Sequence, residues 1–283
     1  MSAQILDGKA LSTKIRAHLK TRVELLKAKG VVPRIEAVVA AQDPASLAYV
    51  KMKRAWAEKA GMESGTFDVG PDTHSDAVLE HIWRLNRDER VHGVLIQHPL
   101  PKHIDESACL AALGPDKDVD GITPTSLGRL TAGQPGFRCA TPMGIMTLLD
   151  HYGIECTGKH AVVIGRSVIL GKPAALLLLE KNATVTIAHS KTLNLAELVK
   201  TADIVLAAVG RAEMVKGNWL KSGCVVIDAG YNKVEGRASD VGDCEFESCA
   251  EVASWITPVP GGVGPMTVTS LLQNTVQAAE QTL

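Results

Sequence analysis

The sequence predicts an α/β protein of two domains, the second a Rossmann-like parallel-sheet domain, and three observations lead there. Short, β-branched apolar runs alternate with segments of helical period along most of the chain, the pattern of a parallel sheet with helices on its faces. Ala161 to Leu179, AVVIGRSVILGKPAALLLL, passes from four apolar residues through Gly165, a short polar turn and Gly171 into an apolar helical run, which is the order of a βα crossover. The third is size, since 283 residues and 30.0 kDa suffice for two cores. Residues 1–140 are expected to form the first domain, recovering a final helix at 265–283, and 141–264 the second, with a cleft between them.

Each element follows from local pattern. Leu11, Ile15, Leu19, Val23 and Leu26 line one helical face that Gly30 ends, and 34–40 reads as a strand. Asp43 caps the next helix, Pro44 is its first residue, Gly61 closes it, and Ala48, Met52 and Trp56 are its expected buried stripe. Thr73 and Asp76 form a capping box before a helix with Val78, Ile82 and Leu85 inward, and 91–96 is a strand. Thr141 is the expected cap of a helix with Pro142 first and Gly153 beyond its end. Strands are expected at 161–164, 184–188, 204–208 and 224–227, with helices after Gly171, near 194–199 and from about Met266. The loop TPVPGGVGPMT, 257–267, has three prolines and three glycines in eleven residues and is too constrained to be a linker. Its place suggests a return to the first domain beside the cleft, where an X-Pro bond could be cis.

Several residues carry chemistry in these patterns. The end of a strand and the N-terminus of the next helix leave backbone N–H groups that receive a diphosphate, so Gly165, Arg166, Ser167 and Gly171 form the candidate cofactor turn. The spacing is not Gly-x-Gly-x-x-Gly, and a plain crossover without ligand is the alternative. An NAD site normally has a carboxylate about 20 residues after the glycine turn; here the second strand ends in His189, Ser190, Lys191 and Thr192. Arg166, Ser190 and Lys191 are donors suited to an extra phosphate and favour NADP. Gly210 and Gly230 follow later strands and would allow close approach of a flat ligand; tight turns are the bland reading.

Tyr49 and Lys53, four apart, share a helical face. Lys51 and Arg54 as positive neighbours, with partial burial, would lower the lysine pKa as proton transfer near neutrality requires, whereas the bland reading is a tyrosine on an exposed lysine stem. Gln97, His98 and Pro99 follow a strand at the sheet edge where open α/β folds place ligands. PDKDVDG, 115–121, superficially resembles a calcium loop but lacks its glutamate, so a folded loop offering one carboxylate to a ligand amine or amide is expected and no metal.

Composition narrows the classes. Thirty basic against 31 acidic residues, a formal net charge of -1, argues against nucleic-acid or membrane-surface binding. Six cysteines form no Cys-x-x-Cys pair, and without a secretory leader reduced thiols are expected. No run approaches the roughly 18 apolar residues of a membrane span.

Together these motifs resemble the bifunctional methylenetetrahydrofolate dehydrogenase/cyclohydrolase family. The resemblance rests on Asp7-Gly8-Lys9, Ser46-x-x-Tyr49-x-x-x-Lys53, Gly93-x-x-x-Gln97-x-Pro99-Leu100-Pro101, the 115–121 loop, Gly165-Arg-Ser167 with Gly171-Lys-Pro173, and Pro258 to Thr267. It covers essentially the whole chain. It implies NADP-linked oxidation of 5,10-methylenetetrahydrofolate to the methenyl form and hydrolysis of that cation to 10-formyltetrahydrofolate. By the same resemblance Lys53 is the acid/base of hydrolysis, Tyr49 the ring packed on folate, Gln97 the partner orienting Lys53, and Asp120 the carboxylate holding the pterin. Pro260, Gly261 and Gly262 would contact substrate, while Arg166 and Ser190 would contact the extra phosphate. A cytoplasmic homodimer serving purine, methionine and histidine biosynthesis is also implied. His98, Thr123, Ser126, Val168 and Leu170 depart from the usual family residues. Another two-domain nicotinamide-dependent dehydrogenase and a non-catalytic dinucleotide-binding protein are the alternatives; the first would not need the folate-like loops, the second would not need a proton-transfer lysine.

Overall fold

The computed structural model describes residues 2–283. In chain order the elements are β1 (Gln4–Ile5), α1 (Gly8–Ala28), β2 (Arg34–Ala40), α2 (Pro44–Lys59), β3 (Glu63–Val69), α3 (Ser75–Arg87), β4 (Gly93–Ile96), α4 (Glu106–Ala112), α5 (Pro124–Thr131) and α6 (Ala140–His151). There follow β5 (His160–Ile164), α7 (Gly171–Glu180), β6 (Thr184–Ala188), α8 (Leu195–Val199), β7 (Ile204–Ala207), β8 (Val225–Asp228), α9 (Phe246–Val252), β9 (Trp255–Ile256) and α10 (Val263–Glu280). Two compact units result, one from Lys14–Ala140 with Val268–Leu283, the other from the chain up to Thr13 with Thr141–Thr267. The expected first domain is therefore corrected at its start. Residues up to Thr13 join the other unit because β1 pairs in parallel with β9, Gln4 opposite Trp255 and Ile5 opposite Ile256.

The 14–140 unit has a parallel sheet in the order β3-β2-β4. Alternation along β2 sends Ala37 and Val39 to one face, against Leu19 and Val23 of α1, Val50 and Ala57 of α2, and Leu271, Leu272 and Val276 of α10. Val38 faces the other way, packing with Ile96 and with Val78, Ile82 and Leu85 of α3. Burying each such aliphatic side chain contributes roughly 1.5–3 kcal/mol, so both faces of this small sheet are anchored. The other unit carries six parallel strands in the order β1-β9-β8-β7-β5-β6. Val162 and Ile164 of β5, Val205 and Ala207 of β7, and Val226 of β8 share one buried cluster.

Local expectations are corrected in several places. The buried stripe of α2 is Ser46, Val50, Lys53 and Ala57, continued by Ala60 just beyond its end; Met52 and Ala48 are exposed and Trp56 is half-buried, a register that turns Lys53 inward. No capping box opens α3, because the cap is His74 and the Thr73 hydroxyl accepts from Gly70 N at 2.9 Å. Helix α6 begins at Ala140, which places Thr141 inside its first turn, where its hydroxyl accepts from Thr267 Oγ1 at 3.0 Å. Helix α10 begins at Val263, three residues before Met266.

Candidate functional site

The Lys14–Ala140 unit gathers four of the expected site residues. Asp43 Oδ2 accepts from Ser46 N at 3.1 Å and starts α2, whose pitch then places Tyr49 and Lys53 one turn apart. Lys53 is only 6% exposed, with its Nζ 4.3 Å from the centre of the Tyr49 ring. That nitrogen donates to Gln97 Oε1 at 3.2 Å, and Gln97 stands just beyond β4, the neighbour of β2. Gln97 Nε2 donates to the His98 carbonyl at 3.0 Å. The His98–Pro99 peptide bond is cis.

Asp120 supplies the opposite charge. Burial pushes the Lys53 amine below its ordinary value and the Asp120 carboxylate pulls it back up. Burial raises Asp120, Lys53 opposes the rise, and Asp118 adds to it. Burial, then Asp120, raise the Tyr49 phenol, which keeps it neutral. The positive neighbours expected to depress Lys53 have no such effect: Arg54 donates to Ser64 Oγ at 3.1 Å and pairs with Glu58, and Lys51 is exposed.

Patterns of spacing did not reveal what holds Asp120. Buried Asp118 accepts from Gly121 N at 2.9 Å, Ile122 N at 3.3 Å and Thr123 N at 2.9 Å, so one aspartate of the loop builds it and the next is presented by it. Asn274 of α10 donates to the Val119 carbonyl at 2.8 Å and to that of Arg138 at 3.3 Å. Cys139 Sγ donates to the Gly121 carbonyl at 2.8 Å. The only advance signal was the acidic repeat in 115–121; Asn274 and Cys139 lie too far along the chain to be linked to it. Thr123 caps α5, accepting from Ser126 N, which accounts for one departure from the family pattern. Among the described residues no cluster of His, Cys, Asp and Glu could hold a metal ion.

The other unit carries the remaining candidates. Gly165 is buried at the end of β5 with φ +132°, and a Cβ there would lie 2.2 Å from the Ala208 carbonyl oxygen. A Cβ on Gly171 would lie 2.3 Å from the Gly165 oxygen, so both glycines are demanded by the backbone of the turn itself. Ser167 Oγ accepts from Gly171 N at 3.3 Å and closes the turn over the start of α7. Arg166 and Ser190 are exposed, and β6 leads into His189 and Ser190 without a carboxylate. Gly210 has φ +64°, and Asp243 accepts from Val209, Gly210 and Arg211 N–H groups. Gly230 is corrected as a ligand-facing glycine, since a Cβ there would meet the Asp243 carboxyl at 2.3 Å. In the 257–267 loop the Val259–Pro260 bond is cis, Gly261 O accepts from Lys9 N at 2.8 Å, and Gly262 O would be 1.8 Å from a Cβ on Gly8. Gly261 and Gly262 thus rest on the first residues of α1, and Pro260 directly precedes them.

The donor set fits a phosphorylated dinucleotide: a tight glycine turn before a helix N-terminus, with an exposed guanidinium, a hydroxyl and no acid where an NAD site needs one. The fold and these two residue sets define an α/β enzyme of the two-unit nicotinamide-dependent class, with a buried lysine beside an amide and a carboxylate. Residues 6–120 match the model of the tetrahydrofolate dehydrogenase/cyclohydrolase catalytic domain, and 139–283 match that of the NAD(P)-binding domain of the same family. A bifunctional protein FolD 2 of Acinetobacter baylyi is 50% identical over 282 residues, 99% of each chain. The crystal structure of the bifunctional FolD enzyme of Campylobacter jejuni matches with a TM-score of 0.98 at 41% identity over 100% of both chains. That of the Trypanosoma brucei enzyme, complexed with NADP cofactor and inhibitor, matches with a TM-score of 0.95 at 35% identity, over 100% of this chain and 99% of that one. The chain belongs to the tetrahydrofolate dehydrogenase/cyclohydrolase family. It is a bifunctional methylenetetrahydrofolate dehydrogenase and methenyltetrahydrofolate cyclohydrolase with an NAD(P)-binding domain.

Proposed function

We propose that Lys53, Gln97, Tyr49 and Asp120 carry both reactions on the folate. The observation that supports this assignment is the burial of Lys53 on the amide of Gln97 and the ring of Tyr49, within the field of Asp120. Bound NADP supplies the hydride acceptor. Arg166 and Ser190 would hold its extra phosphate, with the turn of Gly165, Ser167 and Gly171 at its diphosphate and Gly210 beside it. Loss of hydride from the methylene bridge needs no protein base, because the flanking folate nitrogens stabilise the methenyl cation. For that step the chain's task is alignment: Tyr49 packs on the folate ring, Asp120 accepts the paired N–H groups of the amino-pyrimidinone edge, and Pro260, Gly261 and Gly262 line the substrate.

Hydrolysis asks for proton movement. Water adds to the methenyl carbon, and a proton must leave the new oxygen while a ring nitrogen gains one as the C–N bond opens. A lysine whose pKa is depressed by burial reaches its neutral form more readily than an exposed one, and the Gln97 carbonyl fixes the direction of one N–H. Lys53→Met keeps much of the apolar stem and removes the proton carrier. It is expected to lower methenyl hydrolysis, corrected for the uncatalysed rate, by roughly 100-fold or more while folate binding persists. Hydrolysis near the wild-type rate in folded K53M would remove Lys53 from the mechanism.

The product would serve purine, methionine and histidine biosynthesis in the cytoplasm, where six reduced cysteines would be at home. A homodimer is proposed as the working form. Edge strand β6, with Ile187 42% exposed, supports it.

A further inference from the structure

Gln97 presents Oε1 to Lys53, and the two ends of a glutamine amide have nearly the same shape. What distinguishes them is the partner at the other end. Nε2 donates to the His98 carbonyl, so the position of that carbonyl decides which atom faces the amine. The Leu100 side chain of the segment after it is buried in the core, and the segment's polar groups are held from one side chain. Glu106, in the first turn of α4, accepts from Leu100 N through Oε2 at 2.7 Å and meets His98 Nδ1 through Oε1 at 2.5 Å. Pro99 and Pro101 have no N–H, so Leu100 offers the one backbone donor between His98 and Lys102, and Glu106 takes it. A carboxylate acceptor here is matched by the His98 tautomer that carries its hydrogen on Nδ1.

We propose that Glu106 is a positioning residue for this reaction, acting through His98, Leu100 and the Gln97 amide to keep Oε1 on the Lys53 amine. The inference rests on the assignment of Lys53 and Gln97 made above. Removing the Glu106 carboxylate frees the 98–100 segment, lets the amide turn, and costs rate without removing any group that touches folate.

The test is methenyl-folate hydrolysis by full-length Glu106→Ala, Glu106→Gln and His98→Ala, with Gln97→Ala as the reference and melting temperatures for each. E106A is expected to lower kcat about tenfold with the folate KM within about twofold, the scale of a modest misalignment. E106Q is expected to remain within about threefold of wild type. Its Oε1 can accept from Leu100 N while its Nε2 donates to His98 Nδ1 in the other tautomer. H98A removes one of the two contacts at an exposed position and is expected to cost about threefold, which keeps the proposal testable if E106A does not fold. Unchanged kcat in folded E106A or in H98A overturns it. So does a loss in which KM and melting temperature move together with kcat and E106Q gives no rescue, since that is general loosening. Full hydrolysis in Q97A would instead reject the underlying assignment, and Q97A inactive beside an intact E106A rejects the positioning role alone.

Discussion

At the scale of single residues, the spacing of Tyr49 and Lys53 on one helical face was legible because helix pitch is fixed, and the ring does lie 4.3 Å from the amine. The cause of the amine's depressed pKa was not. Of its sequence neighbours, Arg54 donates to Ser64 and Lys51 is exposed, and burial in the fold lowers the amine. Asp118 and Asp120 illustrate the same boundary. They are two apart in one loop, yet only the folded loop separates the aspartate that accepts three backbone N–H groups from the one that is presented. Asp118→Ala leaves those three donors unmatched in a buried loop and is expected to cost about 3 kcal/mol or more, read by chemical denaturation, and to raise the folate KM by displacing Asp120. Arg166 makes the opposite kind of prediction, since it is exposed and its proposed role is to hold one ligand group. R166A should reduce kcat/KM with NADP by roughly 10- to 100-fold while changing that with NAD by less than about threefold, and equal losses with both cofactors would remove it from the phosphate site.

At the scale of elements, strands with uninterrupted apolar runs were legible: β2 and β6 have the expected bounds, β5 and β7 differ by one residue at one end, and β8 is shifted by one residue. Strand β3 was not found, because as an edge strand it buries only Val69 fully and carries Glu63, Ser64, Thr66 and Asp68 to its partly exposed faces. Strands β1 and β9, two residues each, offer no periodicity to read. The segment after β8 is organised by a group that sequence did not single out. Asp228 accepts from Gly230 N at 2.9 Å, Asp243 N at 2.9 Å and Cys244 N at 2.8 Å. Burial nevertheless outweighs these donors and pushes its carboxyl up to about 6, from an ordinary value of 3.8. The folded state therefore holds the proton more tightly between these values. Stability from this group is fully present below pH 3.8 and is lost as pH rises towards 6, by about 3 kcal/mol at 1.36 kcal/mol per unit. Asp228→Asn removes the titration, so the wild-type minus D228N stability difference should fall by about that amount between pH 4 and 7, and a flat difference would reject the raised value.

For the whole molecule, the family resemblance and the return of the last helix were legible from loops that few chains share, but the placement of the first residues was not. Two strand residues pairing with a two-residue partner outvote position in the sequence, and they draw the chain up to Thr13 to the six-stranded sheet. The opposite edge of that sheet bears on assembly. β6 is the outermost strand, paired only with β5, and its burial alternates weakly, leaving Ile187 exposed beside unpaired backbone. Soluble proteins usually blunt such an edge with charge, proline or a covering element, and β6, TVTIA, has no charged residue and no proline. A second copy of the same strand would satisfy the edge, and two-fold pairing of identical antiparallel edges closes on itself without forming fibres. Light scattering should therefore give a mass twice 30.0 kDa for the wild-type protein. Ile187→Lys, which puts a like charge on both copies of a shared edge, should shift it towards 30.0 kDa and leave the Lys53 chemistry of the other unit within about twofold. A wild-type monomer at micromolar concentration, or an unaltered dimer in I187K, would show that β6 is not the shared edge.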